Sequence, residues 1–159
     1  MNSIPQIGNV EWMGIRPEKR GEMVEMNEVL LDINDGIQGD HYSKKGGKRM
    51  ITLIQSEHLD TISRILKKDD VHPSLLRRNI VISGINLLSL HNRQILIGDE
   101  VIIEGTGYCH PCSRMETNLG PGGYNAVRGH GGLTAKIISG GKIKIGDQVS
   151  LNSEGSLIK

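Results

Sequence analysis

Both cysteines of the chain lie three residues apart, as Cys109 and Cys112, with His110 and Pro111 between them. A Cys-x-x-Cys pair occurs in zinc sites and in redox dithiols, and one of its members can be a single reactive cysteine. Two buried and inert thiols are the unreactive alternative. The chemistry that the sequence can support depends mostly on which of these alternatives applies to the pair.

The rest of the sequence gives little support to zinc. A structural zinc site needs four ligands, commonly two Cys pairs or one Cys pair with two closely spaced histidines. The chain has one Cys pair and six histidines, and no two histidines are separated by three to five residues. His130 is the best additional ligand. Structural zinc is therefore the weakest of the alternatives.

The tetrapeptide Cys-His-Pro-Cys is similar to the active-site sequence of thioredoxin-like proteins, in which a helix N-terminus activates the first thiol. That class also needs alternating strands and helices around the tetrapeptide. Here strand-like segments precede Cys109, and glycine-rich hairpins follow Cys112. A redox dithiol remains a minor alternative.

The local sequence favours a reactive Cys112. Residues 113–119 have a helical pattern, and Pro111 is well suited to the first turn of that helix. A thiol at this point is close to unsatisfied backbone N–H groups and to the charge of Arg114, and both favour the thiolate. We interpret Cys109 as a packed and inert thiol, with a resolving cysteine as the alternative.

Composition excludes several classes of protein. The 159 residues carry 19 basic and 18 acidic side chains, a net charge of +1, which gives no general attraction to nucleic acid or to anionic membranes. The chain has no Phe, one Trp and three Tyr, so it has few rings to stack on bases. We expect no nucleic-acid partner. No signal peptide or membrane-length apolar run is present, so we expect a cytoplasmic protein with reduced thiols and no membrane partner.

Short, β-branched segments and 21 glycines indicate a mostly β fold. A helix is predicted over 57–68, capped by Ser56, with Leu59, Ile62 and Leu66 on one face. A turn or short helix is predicted from His72-Pro73 through Arg77. Strands are predicted over 8–15, 23–33, 49–54, 79–82, 94–97, 101–105, 133–139, 142–145 and 148–151. We predict one domain over 1–159, a β-barrel with a few short helices at its rim.

Five segments occur in an order that resembles the MOSC domain family, the C-terminal module of molybdenum-cofactor sulfurases, which also occurs as small stand-alone proteins. They are Gly39-Asp40-His41, 49–54, 78–84, Pro111-Cys112, and 131–143 followed by 146–149. The resemblance covers about 10–149. It implies a barrel-like fold and one functional cysteine after a proline, which corresponds to Cys112. It also implies molybdenum cofactor (molybdopterin) as the bound group, with Cys112 as the ligand of molybdenum or as the carrier of a persulfide.

Molybdopterin carries a phosphate, so we expect cationic side chains around it. Asp40 and His41 are predicted at the mouth of the cofactor site, where His41 could transfer protons. A turn and a solvent-exposed histidine are their alternatives. The glycine-rich segment 125–132 is predicted to contact the ligand through its backbone. The predicted cofactor-binding residues are Arg78, which ranks first, with Asn79, Arg49, Arg128, Asp40 and His41. A surface salt bridge is the alternative for each of the three arginines.

The resemblance leaves three functions open. The first is a molybdenum-dependent reductase of N-hydroxylated compounds, which needs an external reductase partner. The second is a sulfur carrier in the maturation of a metal–sulfur cluster or cofactor. It would receive sulfur from a separate cysteine desulfurase, because 159 residues have no room for the pyridoxal-phosphate domain of full sulfurases. The third is a non-enzymatic module that binds an anionic ligand or a protein.

Overall fold

The computed structural model describes residues 1–43 and 47–153 of the chain. Two single turns of 3-10 helix lie at Pro73–Leu76 and Leu87–Leu90. The helices are α1 (Ser56–Ile65), α2 (Ser113–Leu119) and α3 (Gly123–Val127). The strands are β1 (Gly8–Ile15), β2 (Val24–Glu25), β3 (Glu28–Asp32), β4 (Gly36–Ile37), β5 (Ile51–Gln55), β6 (Ile80–Ser83), β7 (Gln94–Ile97), β8 (Val101–Tyr108), β9 (Leu133–Ser139), β10 (Gly141–Lys144) and β11 (Gln148–Leu151).

Seven of these strands form a closed barrel, which confirms the predicted fold class. Their order is β1-β6-β5-β9-β8-β7-β11, and β11 pairs back with β1. All pairs are antiparallel except β5 and β6. A parallel pair needs a crossover connection, and α1 with the turn Pro73–Leu76 supplies it outside the barrel. A separate small sheet has the order β10-β3-β4.

Alternation along the strands fills the barrel interior. In β7, for example, Ile95 and Ile97 are buried while Gln94 and Leu96 are half-buried. A second apolar cluster lies between the outer face of the barrel and the helices. There Leu59 and Ile62 of α1 are buried as the helical pattern predicts, and Leu66 packs against the same cluster at its edge.

Several elements differ from the sequence-based predictions, and tertiary contacts explain two of the differences. The predicted strand 23–33 is two strands, because β2 pairs with β1 and β3 pairs with β10. Helix α3 was missed because its cap comes from another helix: the Glu116 carboxylate accepts hydrogen bonds from Gly122 N and Tyr124 N. Ser56 is not the N-cap of α1, since that position is Gln55.

The strand pairing brings separate parts of the sequence to one end of the barrel. The starts of β5 and β6 lie side by side because those strands are parallel. The end of β1 adjoins the start of β6, and the end of β8 adjoins the start of β9, since both pairs are antiparallel. Over 1–43 and 47–153, no helix is long and apolar enough to cross a membrane.

Candidate functional site

A cavity of about 700 Å³ opens at this end of the barrel. We call it the Cys112 pocket. It combines one exposed thiol with four cationic side chains, and no carboxylate occurs among the described residues that line it. Its lining residues are Arg16, Tyr42, Gly47, Lys48, Arg49, Thr52, Arg78, Cys109, His110, Cys112 and Thr134.

The two cysteines of the pocket have different environments. Cys112 is exposed, and it is the N-cap residue of α2. Cys109 is only 7% exposed. Burial raises the pKa of Cys109, and the charges of Arg78, Arg49 and Arg16 offset that effect in part. Cys109 is therefore held as a neutral thiol in the wall, and Cys112 is the thiol that a reagent or ligand can reach.

Helix α2 begins at Ser113 as predicted, but the expected place of Pro111 in its first turn was wrong. Because α2 starts at Ser113, Pro111 precedes the N-cap and does not lie in the first helical turn. The Cys112 carbonyl accepts the first turn's hydrogen bond, from Met115 N at 2.9 Å. The proline instead fixes the extended chain that leads into the helix.

Arg78 is held in place by two backbone carbonyls. It is only 9% exposed, and it donates from Nε to Gly131 O and from Nη1 to Leu76 O, both at 2.8 Å. A side chain at Gly131 would not fit, because its Cβ would lie 2.2 Å from Cys109 O and 3.4 Å from Arg78 Nη2. The guanidinium is thus oriented before any ligand binds.

Arg16 is fixed by a buried carboxylate. The Asp40 side chain is fully buried and accepts from Arg16 Nε at 3.1 Å, from Arg16 Nη2 at 3.2 Å and from Arg16 N at 3.1 Å. Asn79 joins the same network: its Nδ2 donates to Asp40 Oδ2 at 2.8 Å, and its Oδ1 accepts from Arg16 Nη2 at 3.3 Å. Thr52 N and Oγ1 also donate to Asn79 Oδ1.

Because of this network, Asp40 and Asn79 contribute to the Cys112 pocket in a different way from the one that the sequence predicted. Both are buried, and their polar atoms are occupied by protein partners below the pocket. Their direct contact with a cofactor stays a prediction. What the structure shows is that they orient Arg16, which lines the pocket itself.

The remaining predicted residues divide into two groups. Arg49 lines the Cys112 pocket and is exposed there. His41 is exposed and stacks edge-on against Tyr42, with ring centroids 5.2 Å apart. Arg128 is exposed and lies over the ring of Tyr124. Neither His41 nor Arg128 belongs to the pocket lining, and part of the predicted ligand-contacting segment 125–132 is helix α3.

The pocket residues that were not predicted from the sequence include Arg16, Tyr42, Lys48 and Thr134. Arg16 had a weak signal, a cation directly after the apolar strand β1. Thr134 had another, since it is a polar residue inside the apolar strand β9, where it is buried. Tyr42 and Lys48 flank residues 44–46, which lie outside the described ranges. Neither Tyr42 nor Lys48 belongs to a strand or helix, so no periodic pattern in the sequence identifies them.

Metal ligands are not grouped in the way that zinc requires. In the described part of the chain, no three His, Cys, Asp or Glu side chains form a cluster. His58 and His130 do approach each other, with ring centroids 5.3 Å apart, and their Nδ1 atoms are buried without a hydrogen-bond partner among the described residues. Burial and the neighbouring His130 lower the pKa of His58, which favours the neutral form of that imidazole.

Comparison with known proteins identifies the class to which this barrel belongs. A family model described as the MOSC domain matches residues 39–150, so the chain belongs to the MOSC domain family. This confirms the resemblance read from the sequence. A search of curated proteins gave no match.

Solved structures with the same fold include three bacterial proteins. The YuaD protein of Bacillus subtilis has 19% identity and a TM-score of 0.79, over 92% of this chain and 97% of that one. YiiM from Escherichia coli has 16% identity and a TM-score of 0.68, over 90% and 68%. YiiM from Geobacillus stearothermophilus has 14% identity and a TM-score of 0.70, over 91% and 74%. At these identities the likeness concerns the fold.

Proposed function

We propose that the chain binds molybdenum cofactor in the Cys112 pocket, with the Cys112 thiolate as the protein ligand of molybdenum, and acts as a reductase of N-hydroxylated compounds. One observation carries the proposal. The exposed thiol of Cys112 shares a cavity with Arg16, Lys48, Arg49 and Arg78, and none of the described lining residues is acidic. A soft thiolate beside several cations is the donor set that a molybdenum pterin with a phosphate group requires.

The size and rigidity of the pocket support the same proposal. A volume of about 700 Å³ lies within the roughly 300–1,000 Å³ range of small-molecule and cofactor sites. Arg78 and Arg16 are oriented in advance by carbonyls and by Asp40, so little side-chain entropy is lost when a ligand binds. The bound cofactor would supply two-electron redox chemistry.

The protein's own groups have separate duties in this proposal. Cys112 holds the metal, and the arginines neutralise the anionic part of the cofactor. Cys109, as a buried and neutral thiol, closes the wall without competing for the metal. Electrons come from a separate reductase partner. The proposal includes a cytoplasmic location, where a free thiol such as Cys112 stays reduced.

Metal and pterin analysis of protein from a host that makes the cofactor tests the proposal. We expect close to one molybdenum per wild-type chain, loss of molybdenum in Cys112→Ser, and retention in the matched variant Cys109→Ser. The loaded protein, given a chemical reductant, should reduce an N-hydroxylated base. Wild-type protein without molybdenum and pterin, or a Cys112→Ser variant that keeps both, would contradict the proposal.

A sulfur carrier is the second candidate, and the exposure of Cys112 favours it, because a partner protein can reach that thiol directly. In this reaction the Cys112 thiolate attacks the outer sulfur of a desulfurase persulfide. The partner's S–S bond breaks, and the partner leaves as a thiolate. Mass spectrometry should show a gain of about 32 Da on Cys112, the mass of one sulfur atom. A label found only on Cys109 would eliminate this candidate.

The third candidate, a non-enzymatic module that binds an anion or a protein, needs the positive pocket but not the thiol. It predicts that Cys112→Ser keeps full ligand binding. Molybdenum analysis and persulfide mapping on the same pair of cysteine variants therefore separate the three candidates.

A further inference from the structure

A second cavity has a volume of about 430 Å³. We call it the arginine cavity, because Arg20, Arg77 and Arg114 line it. It lies near the Cys112 pocket: Tyr42 lines that pocket, and the Arg77 guanidinium lies 5.8 Å from the centroid of the Tyr42 ring. Consecutive residues thus serve different cavities, since Arg78 lines the first and Arg77 the second.

Arg77 has an unused hydrogen-bond donor in this cavity. Its Nη1 donates to Gly21 O, but its Nη2 is buried and has no partner among the described residues. Buried polar atoms are nearly always hydrogen-bonded, and an unsatisfied donor on a charged group is costly. An orphaned guanidinium N–H beside a cavity is therefore a sign of a missing acceptor.

The charges around Arg77 are also unbalanced. Within the described residues, neither Arg77, Arg20 nor Arg114 belongs to an ion pair. Burial and then the charge of Arg114 lower the pKa of Arg77, and Tyr42 offsets part of that effect. Glu22, an exposed residue, is the one carboxylate among the described lining residues. Three guanidinium groups against one carboxylate leave an excess of positive charge.

We propose that the arginine cavity binds the phosphate group of a phosphorylated small molecule. A phosphate has the charge and the acceptor oxygens that three guanidinium groups can bind, and rotation of the Arg77 guanidinium toward the cavity would give its unused Nη2 N–H an acceptor. A carboxylate offers fewer acceptors and one charge. The site is separate from the Cys112 pocket, and the proposal does not depend on molybdenum or on the function proposed for Cys112.

The test titrates the full-length, cofactor-free chain with inorganic phosphate and with a phosphate monoester, and follows binding by calorimetry. We expect saturable binding of both, and weaker binding of acetate. Arg77→Met and Arg114→Met should each weaken phosphate binding by about tenfold or more, since each removes a charge-assisted contact. Arg114→Met keeps the test valid if Arg77→Met folds poorly.

Arg64→Met is the matched control. Arg64 is an exposed arginine of α1, paired with Asp60 and absent from both cavities. The Arg64→Met substitution removes the same charge as the two test variants, and we expect its phosphate affinity to stay within about twofold of wild type. Failure to saturate, unchanged affinity in the Arg77 and Arg114 variants, or an equal loss in Arg64→Met would overturn the proposal.

A further arm distinguishes a free ligand from the cofactor's own phosphate. Chains loaded with molybdenum cofactor should bind phosphate as the cofactor-free chains do, because the two sites are distinct. Loss of phosphate binding on loading would assign the arginine cavity to the cofactor and overturn the proposal of a separate ligand. Phosphate binding by Cys112→Ser should equal that of wild type. Failure of the function proposed for Cys112 is therefore distinguishable from failure of the phosphate-site proposal.

Discussion

The Cys112 pocket and the arginine cavity are neighbours with three or more basic residues each. They differ in how far protein groups already occupy the hydrogen-bond donors of their arginines. In the Cys112 pocket, Arg16 is paired with a buried carboxylate and Arg78 is held by two carbonyls. In the arginine cavity, Arg77 retains a buried N–H group without a partner in the described structure, and Arg114 has no ion pair there.

The difference shows that charge and orientation are separate properties of a binding site. Arginines fixed by the protein lose part of their attraction for an anion, but they present donors at set positions. Arginines without acidic partners attract an anion strongly and become fully satisfied only when it arrives. The first arrangement suits a cofactor that must be held in one orientation, and the second suits a ligand that binds and dissociates reversibly.

The largest effect is expected at the buried ion pair. Asp40→Ala leaves the charge of Arg16 without its partner, and breaking a buried pair costs about 3–5 kcal/mol. Urea unfolding should show this loss of stability. The matched control is Asp60→Ala, which removes an exposed partner of Arg64 and should cost about 0.5 kcal/mol or less. Equal losses in the two variants would mean that the Cys112 pocket is no more rigidly built than the surface.

A smaller effect is expected behind Arg78. Gly131→Ala places a Cβ against Cys109 O, and such overpacking costs about 1–3 kcal/mol. It should weaken cofactor retention in the Cys112 pocket and leave phosphate binding in the arginine cavity within about twofold. Gly107→Ala is the control, since its Cβ would meet Thr134 Oγ1 at an ordinary 3.4 Å. Molybdenum content and phosphate calorimetry on both variants measure the contrast. Equal losses at both sites would contradict the independence of the two cavities.

The smallest effect is expected at Tyr42, which lines the Cys112 pocket and lies beside Arg77 of the arginine cavity. The pKa of Tyr42 is lowered from 10.0, first by the hydrogen bond from Arg20 N, with the charge of Arg77 and side-chain hydrogen bonds from Arg77 and Arg114 adding to the effect. These groups favour the phenolate, so Arg77→Met should raise the pKa of Tyr42 part of the way back. Phenolate absorbance against pH measures it, with Tyr42→Phe to identify the Tyr42 contribution. An unchanged pKa would show that Arg77 does not act on Tyr42.

The sequence predicted the elements whose stability is local or repetitive. Strands β1, β7, β9 and β11 and helix α2 have the predicted bounds, because alternating or helical apolar patterns determine them. The family resemblance, which the match over 39–150 confirms, rested on short segments in a fixed order. Cys112 was placed by its neighbours in the sequence, and the structure leaves it exposed in the pocket.

What the sequence did not predict depends on contacts between distant residues. The ion pair between Arg16 and Asp40 joins the end of β1 to a loop, and neither segment has a sequence pattern that predicts this contact. Helix α3 exists because Glu116 of α2 accepts hydrogen bonds from its N-terminus. Arg77 and Arg78 are adjacent and identical in type, and nothing in the sequence shows that they line different cavities.

The barrel is closed by the pairing of Gly8 with Val149, which are almost a whole chain apart. Contacts this distant in sequence form slowly, because a long loop must be ordered before they stabilise anything. We therefore expect refolding on a timescale of roughly milliseconds to seconds, as for other β-barrels. During synthesis on the ribosome, β1 must wait for β11 to emerge, so the exposed Cys112 is synthesised before the strand that closes the barrel.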